Sequence, residues 1–197
     1  MKHLVVATRN KGKILEINAL LIGLVDKISS AADFADFPET VEDGNTFEEN
    51  ALKKAREAVY YSGFPALADD SGLVVDALNG RPGVYSARYA GVSASDAANN
   101  ALLLEECQNV PDGNRQAAFV CVLAFVTPSG EEQLFTGRIA GKILSAAKGE
   151  GGFGYDPLFL VDGFGRSMAE LTLTEKNEVS HRAQAFRKFR EYLKTLE

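Results

Sequence analysis

The run Arg115-Gln-Ala-Ala-Phe-Val-Cys-Val-Leu-Ala-Phe-Val-Thr127 is too continuously apolar to be an exposed strand, so it must be an interior strand of a sheet. Pro128-Ser-Gly130 turns the chain back into a partner carrying Leu134, Phe135 and Ile139, and this pair is expected at the antiparallel centre of the sheet. The chain is long enough to build around such a strand. With 197 residues, 46% of them hydrophobic, it can bury a full core, as one large domain or two closely joined lobes. No internal repeat, low-complexity segment or linker divides it, so residues 1–197 are read as a single domain.

Other elements surround this pair. Lys2 to Ala7 reads as a buried strand, and Ile14, Ile17, Leu20 and Leu21 then recur at helical spacing. A short strand is expected around Val25 to Ile28, followed by an acidic surface excursion from Asp33 to Gly44. Thr46-Phe-Glu-Glu49 has capping-box form. Phe47, Ala51, Ala55, Ala58 and Val59 continue it as an apolar stripe that stops at Gly63. Asn79-Gly-Arg-Pro-Gly83 is a turn cluster, followed by a loop from Val84 to Tyr89, and Ser95 caps a helix running to Asn109. Pro157 to Val161 returns to a strand, and Phe186, Phe189, Leu193 and Leu196 form the core-facing stripe of a last helix.

Composition excludes several classes. No run of eighteen apolar residues is present and Met1 to Thr8 lacks a signal-peptide pattern, so no membrane is expected as partner and a cytoplasmic location is. The formal charge of −6 argues against nucleic acid as the main partner. Cys107 and Cys121 lack the paired spacing of a zinc or disulfide framework and are read as buried apolar residues.

Chemistry concentrates in a few stretches. In Ala66-Leu-Ala-Asp-Asp-Ser-Gly-Leu-Val-Val-Asp76 an apolar run is interrupted by two adjacent carboxylates, a hydroxyl and a glycine. Asp69 and Asp70 should point opposite ways unless the chain turns at Gly72, so one carboxylate can face a cleft. The competing reading is a turn in which the aspartates bind backbone amides. Thr8-Arg-Asn-Lys-Gly-Lys13 lies between a strand and a helix N-terminus, a geometry that offers N–H groups, a dipole end and Lys11 and Lys13 to an anion. It lacks the Walker spacing, and two lysines on the solvated side of a turn are the plainer alternative. Gly149-Glu-Gly-Gly-Phe-Gly-Tyr-Asp-Pro157 brings backbone close to a flat ligand, or is simply a tight connection. Arg182 opens the last helix, where a cation opposes the dipole and serves stability poorly.

Taken together, Ala7-Thr-Arg-Asn-Lys-Gly-Lys13, Glu42-Asp-Gly-Asn-Thr-Phe-Glu-Glu-Asn50, Ala68-Asp-Asp-Ser-Gly-Leu73, Pro82-Gly-Val-Tyr-Ser-Ala-Arg88, Gly151-Gly-Phe-Gly-Tyr-Asp-Pro157 and Ser180-His-Arg182 resemble, in order and over nearly the whole chain, the pyrophosphatases of non-standard purine nucleoside triphosphates (dITP, ITP and XTP), the inosine triphosphatase-like family. Many members of that family have Gly where this chain has Arg9. The resemblance implies an α/β fold with a long mixed central sheet flanked by helices, in two lobes with an active-site cleft, and a homodimer. It implies that Thr8, Arg9, Asn10, Lys11, Gly12 and Lys13 hold the triphosphate, that Lys53 reaches it, and that Glu42 and Asp70 hold Mg2+, with Asp70 also the base. It further implies that Ser71 contacts the nucleotide, that Phe153, Gly154, Tyr155 and Asp156 form the base pocket, and that Lys176, His181 and Arg182 read or orient the purine.

Those roles suit a simple hydrolysis. Magnesium needs only one or two carboxylates when phosphates and water supply the rest. The expected reaction is attack of water on the α-phosphorus of ITP, dITP or XTP, releasing monophosphate and pyrophosphate and cleansing the nucleotide pool. The alternatives are a pyrophosphatase for other modified nucleotides and a nucleotide-binding regulator without turnover.

Overall fold

The computed structural model describes residues 1–34 and 37–195, apart from the side chains of Lys11, Gly12 and Glu16; the expectations placed on Lys11, Gly12 and Leu196 lie outside the described residues. Strand β1 (His3–Val6) buries Leu4, Val5 and Val6 completely or nearly so. Such an all-apolar segment suits a strand with neighbours on both sides, and β1 runs parallel to β2 (Lys27–Ser30) on one and to β3 (Ala66–Val75) on the other. The β2 segment lies slightly later in the chain than its apolar residues alone suggest.

Helix α1 (Lys11–Leu21) follows β1 and buries Ile17 and Leu21. Helix α2 (Phe47–Ser62) has the expected reciprocal capping box between Thr46 and Glu49 and stops at Gly63, whose φ of 70° is left-handed. Its buried face holds Ala51, Ala55 and Ala58, with the polar Asn50 and Lys54 among them. Helix α3 (Asp96–Cys107) is capped by Ser95. The short helix α4 (Leu173–Val179) was not expected, because seven residues with apolar groups only at the ends show no periodicity; Thr172 and Glu175 cap it. Helix α5 (His181–Lys194) carries the predicted stripe, with Phe186 and Phe189 buried.

Strands β4 (Gln116–Val126), β5 (Glu132–Ile143) and β6 (Phe159–Val161) complete a six-stranded mixed sheet in the order β2-β1-β3-β4-β5-β6. The expected pair β4 and β5 is present, joined by a turn in which Gly130 N–H donates to Thr127 O at 2.9 Å. The centre, however, is β3 with β4, and β5 lies one place outward. The reason is that β1 and β2 extend the sheet beyond β3, while β6 covers the outer edge of β5, antiparallel, with Gly141 opposite Val161. A Cβ at Gly141 would sit 2.3 Å from the Leu160 carbonyl oxygen, so only glycine lets β6 approach.

The chain forms two compact units: Met1–Asp70, Cys121–Gly137 and Arg182 onward make the first, Ser71–Val120 and Arg138–His181 the second. In unit 1, Leu4, Leu67, Leu123, Phe125, Phe186 and Phe189 belong to one buried cluster. In unit 2, Leu73, Val75, Leu103, Phe119, Leu158 and Phe159 belong to another. Cys121 is part of the first cluster and Cys107 of the second, both fully buried, as their reading as apolar residues requires. No helix among the described residues is long and apolar enough to cross a membrane.

Candidate active site

Strand β3 runs from Ala66 to Val75 without a break, so the chain does not turn at Gly72 and the turn reading of Asp69 and Asp70 is overturned. Consecutive residues of a strand face opposite ways, and each of these buried carboxylates accordingly meets its own set of partners within unit 1.

Asp70 faces α2. Asn50 Nδ2 donates to its Oδ2 at 3.0 Å, and Lys54 Nζ lies 3.9 Å from its Oδ1. Lys54 also reaches Glu42 Oε1 at 2.6 Å and donates to the Asp69 carbonyl oxygen at 2.6 Å. Asn50 Oδ1 accepts from Gly44 N–H at 2.8 Å, so Asn50 and Lys54 together tie the Glu42 segment to β3. Burial pushes the Asp70 pKa up; Lys54 opposes that rise and Glu42 adds to it. For Lys54 burial alone would favour the neutral amine, but the combined pull of Asp69, Glu42 and Asp70 raises its pKa and keeps it charged.

Asp69 faces the other way, toward Lys13 Nζ at 2.8 Å and Arg182 Nη2 at 3.5 Å. Burial would raise its pKa, yet Lys13, Arg182 and Lys54 hold it well below the usual carboxylate range. The turn that delivers Lys13 is built by its own side chains. Asn10 Oδ1 caps α1 by accepting from Lys13 N–H at 3.1 Å, and Thr8 Oγ1 accepts from Asn10 N–H at 3.3 Å. Arg9 donates to the Phe37 carbonyl, which ties this turn to the acidic excursion.

The lysine brought to Glu42 and Asp70 is therefore Lys54, whereas Lys53 pairs with Asp43 at 2.7 Å. Asn50 and Lys54 are functional candidates that the sequence reading passed over, and Asp69, singled out there with Asp70, was given no role. A signal for Asn50 and Lys54 existed: they lie one turn apart within the stripe formed by Ala51, Ala55 and Ala58, and polar groups inside an apolar stripe need an internal partner.

Unit 2 holds the glycine-rich loop. Gly152 has φ +77°, and a Cβ there would stand 2.1 Å from Asp156 Oδ2. That oxygen accepts from Phe153 N–H at 3.1 Å and from Lys176 Nζ at 2.8 Å. Lys176 in turn lies 5.3 Å from the Phe153 ring centroid, so aromatic face, ammonium and carboxylate form one group. Tyr155 turns into the core of unit 2, its hydroxyl donating to the Ser86 carbonyl at 2.8 Å. Burial pushes its pKa far up, and Phe153 is the aromatic that stays half-buried. His181 is buried with its ring stacked on Phe119 at 4.9 Å. Ser71, half-buried, opens the part of β3 that belongs to unit 2.

Fold and site define an α/β protein with a mixed six-stranded sheet whose third strand carries two buried carboxylates, met there by lysines and an arginine from the helices. More particularly, the chain belongs to the Ham1 family, whose model matches residues 4–192. It is 58% identical over 193 residues to the dITP/XTP pyrophosphatase of Geobacter sulfurreducens, covering 98% of this chain and 97% of that one. It is 52% identical to the protein of that name from Exiguobacterium sibiricum, covering 98% and 97%. Among solved structures, the Staphylococcus aureus Ham1 protein superposes with a TM-score of 0.89 at 38% identity, over 100% of both chains. The Mycobacterium abscessus nucleoside-triphosphatase, a dITP/XTP pyrophosphatase, matches with a TM-score of 0.79 at 48% identity, covering 95% and 98%.

Proposed function

We propose that this chain hydrolyses ITP, dITP and XTP to the monophosphate and pyrophosphate. The observation that carries the chemistry is Asp70: a buried carboxylate whose pKa burial raises, hydrogen-bonded by Asn50 and flanked by Lys54 and Glu42. The names of relatives at 58% and 52% identity support the substrate class.

Asp70 takes the proton of the water that attacks the α-phosphorus, a task helped by a pKa moved toward the working pH. Asn50 fixes the orientation of its carboxylate, and Lys54 offsets negative charge that grows as the phosphoanhydride breaks. Lys13, with Thr8, Arg9, Asn10, Lys11 and Gly12, binds the phosphates, and Lys53 adds charge from the exposed side of α2. Glu42 and Asp70 would hold Mg2+: both offer hard carboxylate oxygens beside Lys54, and the described residues contain no larger cluster of His, Cys, Asp or Glu that would suit another metal. When bound, the ion clamps phosphate oxygens and stabilises their charge.

Phe153 stacks on the purine, and Lys176, anchored by Asp156, reads or orients it together with His181 and Arg182. Ser71 contacts the nucleotide, and Gly154, Tyr155 and Asp156 shape the loop around the base. The protein works as a cytoplasmic homodimer, which light scattering on the purified chain tests. A panel of ITP, XTP, dITP and ATP with Mg2+, read separately for pyrophosphate and orthophosphate, tests the reaction. Pyrophosphate as first product with ITP far ahead of ATP is expected; orthophosphate with a diphosphate would refute attack at the α-phosphorus.

A further inference from the structure

Within unit 2, helix α3 directs two side chains at a single residue of the glycine-rich loop. Asp96 and Asn100 are one turn apart, on one face of the helix. Asp96 Oδ2 accepts from Gly154 N–H at 2.7 Å, and Asn100 Nδ2 donates to Gly154 O at 3.0 Å. Both backbone groups of Gly154, a residue with φ +60°, are thus held by side chains more than fifty positions away in sequence.

Helix α3 does not need these contacts for itself. Ser95 already caps it, accepting from Ala98 N–H at 3.2 Å, and Asn99, not Asn100, secures the preceding segment through Ala90 N–H at 2.8 Å. Asn100 also keeps a buried acceptor, Oδ1, without a hydrogen-bond partner. Asn100 is half-buried, and it directs its amide donor away from its own helix to the loop carbonyl of Gly154. The neighbours of Gly154 supply the purpose: Phe153 on one side, and Asp156 with its Lys176 on the other.

We propose that Asp96 and Asn100 are positioning residues for purine selectivity, fixing Gly154 so that Phe153 and the Asp156–Lys176 pair meet a 6-keto purine in register. This rests on the reading of the loop and Lys176 as the base-recognising group. Misplacement of such a group by about 1 Å can cost on the order of a hundredfold in rate.

The test uses Asn100→Leu, which removes the donor and the unmet acceptor at similar size, and Asp96→Ala, with Asp96→Asn as the conservative control that keeps an oxygen on Gly154 N–H. In Asn100→Leu and Asp96→Ala the ITP-to-ATP ratio of kcat/KM should fall about tenfold, mainly through a higher KM for ITP, while Asp96→Asn stays near wild type. The Tm of Asn100→Leu should change little, since the half-buried Gly154 carbonyl that loses its donor can turn to water. An unchanged ratio and KM in both variants, with or without a lower Tm, would overturn the proposal and leave the contacts purely structural. If Asn100→Leu fails to fold, the two Asp96 variants decide. Failure of the underlying reading shows itself separately, as a wild-type enzyme that does not prefer ITP to ATP.

Discussion

Replacing Asp69 by Asn removes one negative charge and little volume, and it should destabilise the protein more than most single substitutions. Asp69 is the counterion of Lys13 at 2.8 Å and of Arg182 at 3.5 Å. Removing one member of a buried pair costs about 3–5 kcal/mol, because the remaining charge stays buried. The two cations differ in their recourse: the Lys13 side chain is 16% exposed and can turn to water, whereas that of Arg182 is 2% exposed. The lower end, about 3 kcal/mol, is therefore expected, which for a chain of this size lowers Tm by about 6–12 °C. Thermal and urea unfolding at pH 7 measure it. The sign of the pH dependence follows from the depressed pKa: Asp69 contributes its stability fully above the unfolded-state value near pH ~4 and loses it as pH falls toward the folded-state value. The deficit of Asp69→Asn should thus be flat from pH 8 down to about 4 and shrink below that. A loss under about 1 kcal/mol at pH 7, or a deficit that grows on acidification, would refute the counterion argument.

Lys54→Met should lower turnover of ITP by about a hundredfold or more, and Lys53→Met by less than about threefold; equal losses would mean that the pairing of Lys53 with Asp43 is not its working state. Asp70→Asn should lower turnover by about a hundredfold or more while leaving urea stability at pH 7 unchanged or higher, since burial already disfavours the ionised carboxylate. Gly152→Ala, whose Cβ would collide with Asp156 Oδ2 from a backbone at φ +77°, should cost about 1–3 kcal/mol and raise KM for ITP, checked by urea unfolding and steady-state kinetics.

What the sequence made legible was whatever rests on local pattern. The capping box of α2, its stop at Gly63, the stripe of α5 and the interior strand β4 are each written in a few neighbouring residues, and each stands where its pattern puts it. The central position of β3 was not, because it depends on β1 pairing with a segment some sixty residues away, and no local pattern encodes that partner. The same limit separates Lys53 from Lys54. Both lie on one capped helix, and their side chains diverge by one residue's rotation, about 100°. Only the approach of the Glu42 segment through Asn50 determines which of them meets the carboxylates.

Arg182 joins the two kinds of information. A cation in the first turn of α5 opposes the helix dipole, and the structure supplies the compensation in Asp69, 3.5 Å away. Anchoring by a carboxylate fixes the guanidinium plane, and a guanidinium can only donate, so it suits the acceptor at O6 of hypoxanthine or xanthine and is left facing a donor by the amino group of adenine. One unmet buried donor is worth about 1–3 kcal/mol, a factor of about 5 to 150 in selectivity. Arg182→Ala should therefore lower the ITP-to-ATP ratio of kcat/KM by about tenfold or more. Asp69→Asn, which keeps the donor but frees its orientation, should lower the ratio by a smaller factor. If both variants reduce turnover of ITP and ATP by the same factor, the ion pair positions the nucleotide as a whole and Arg182 does not read the base.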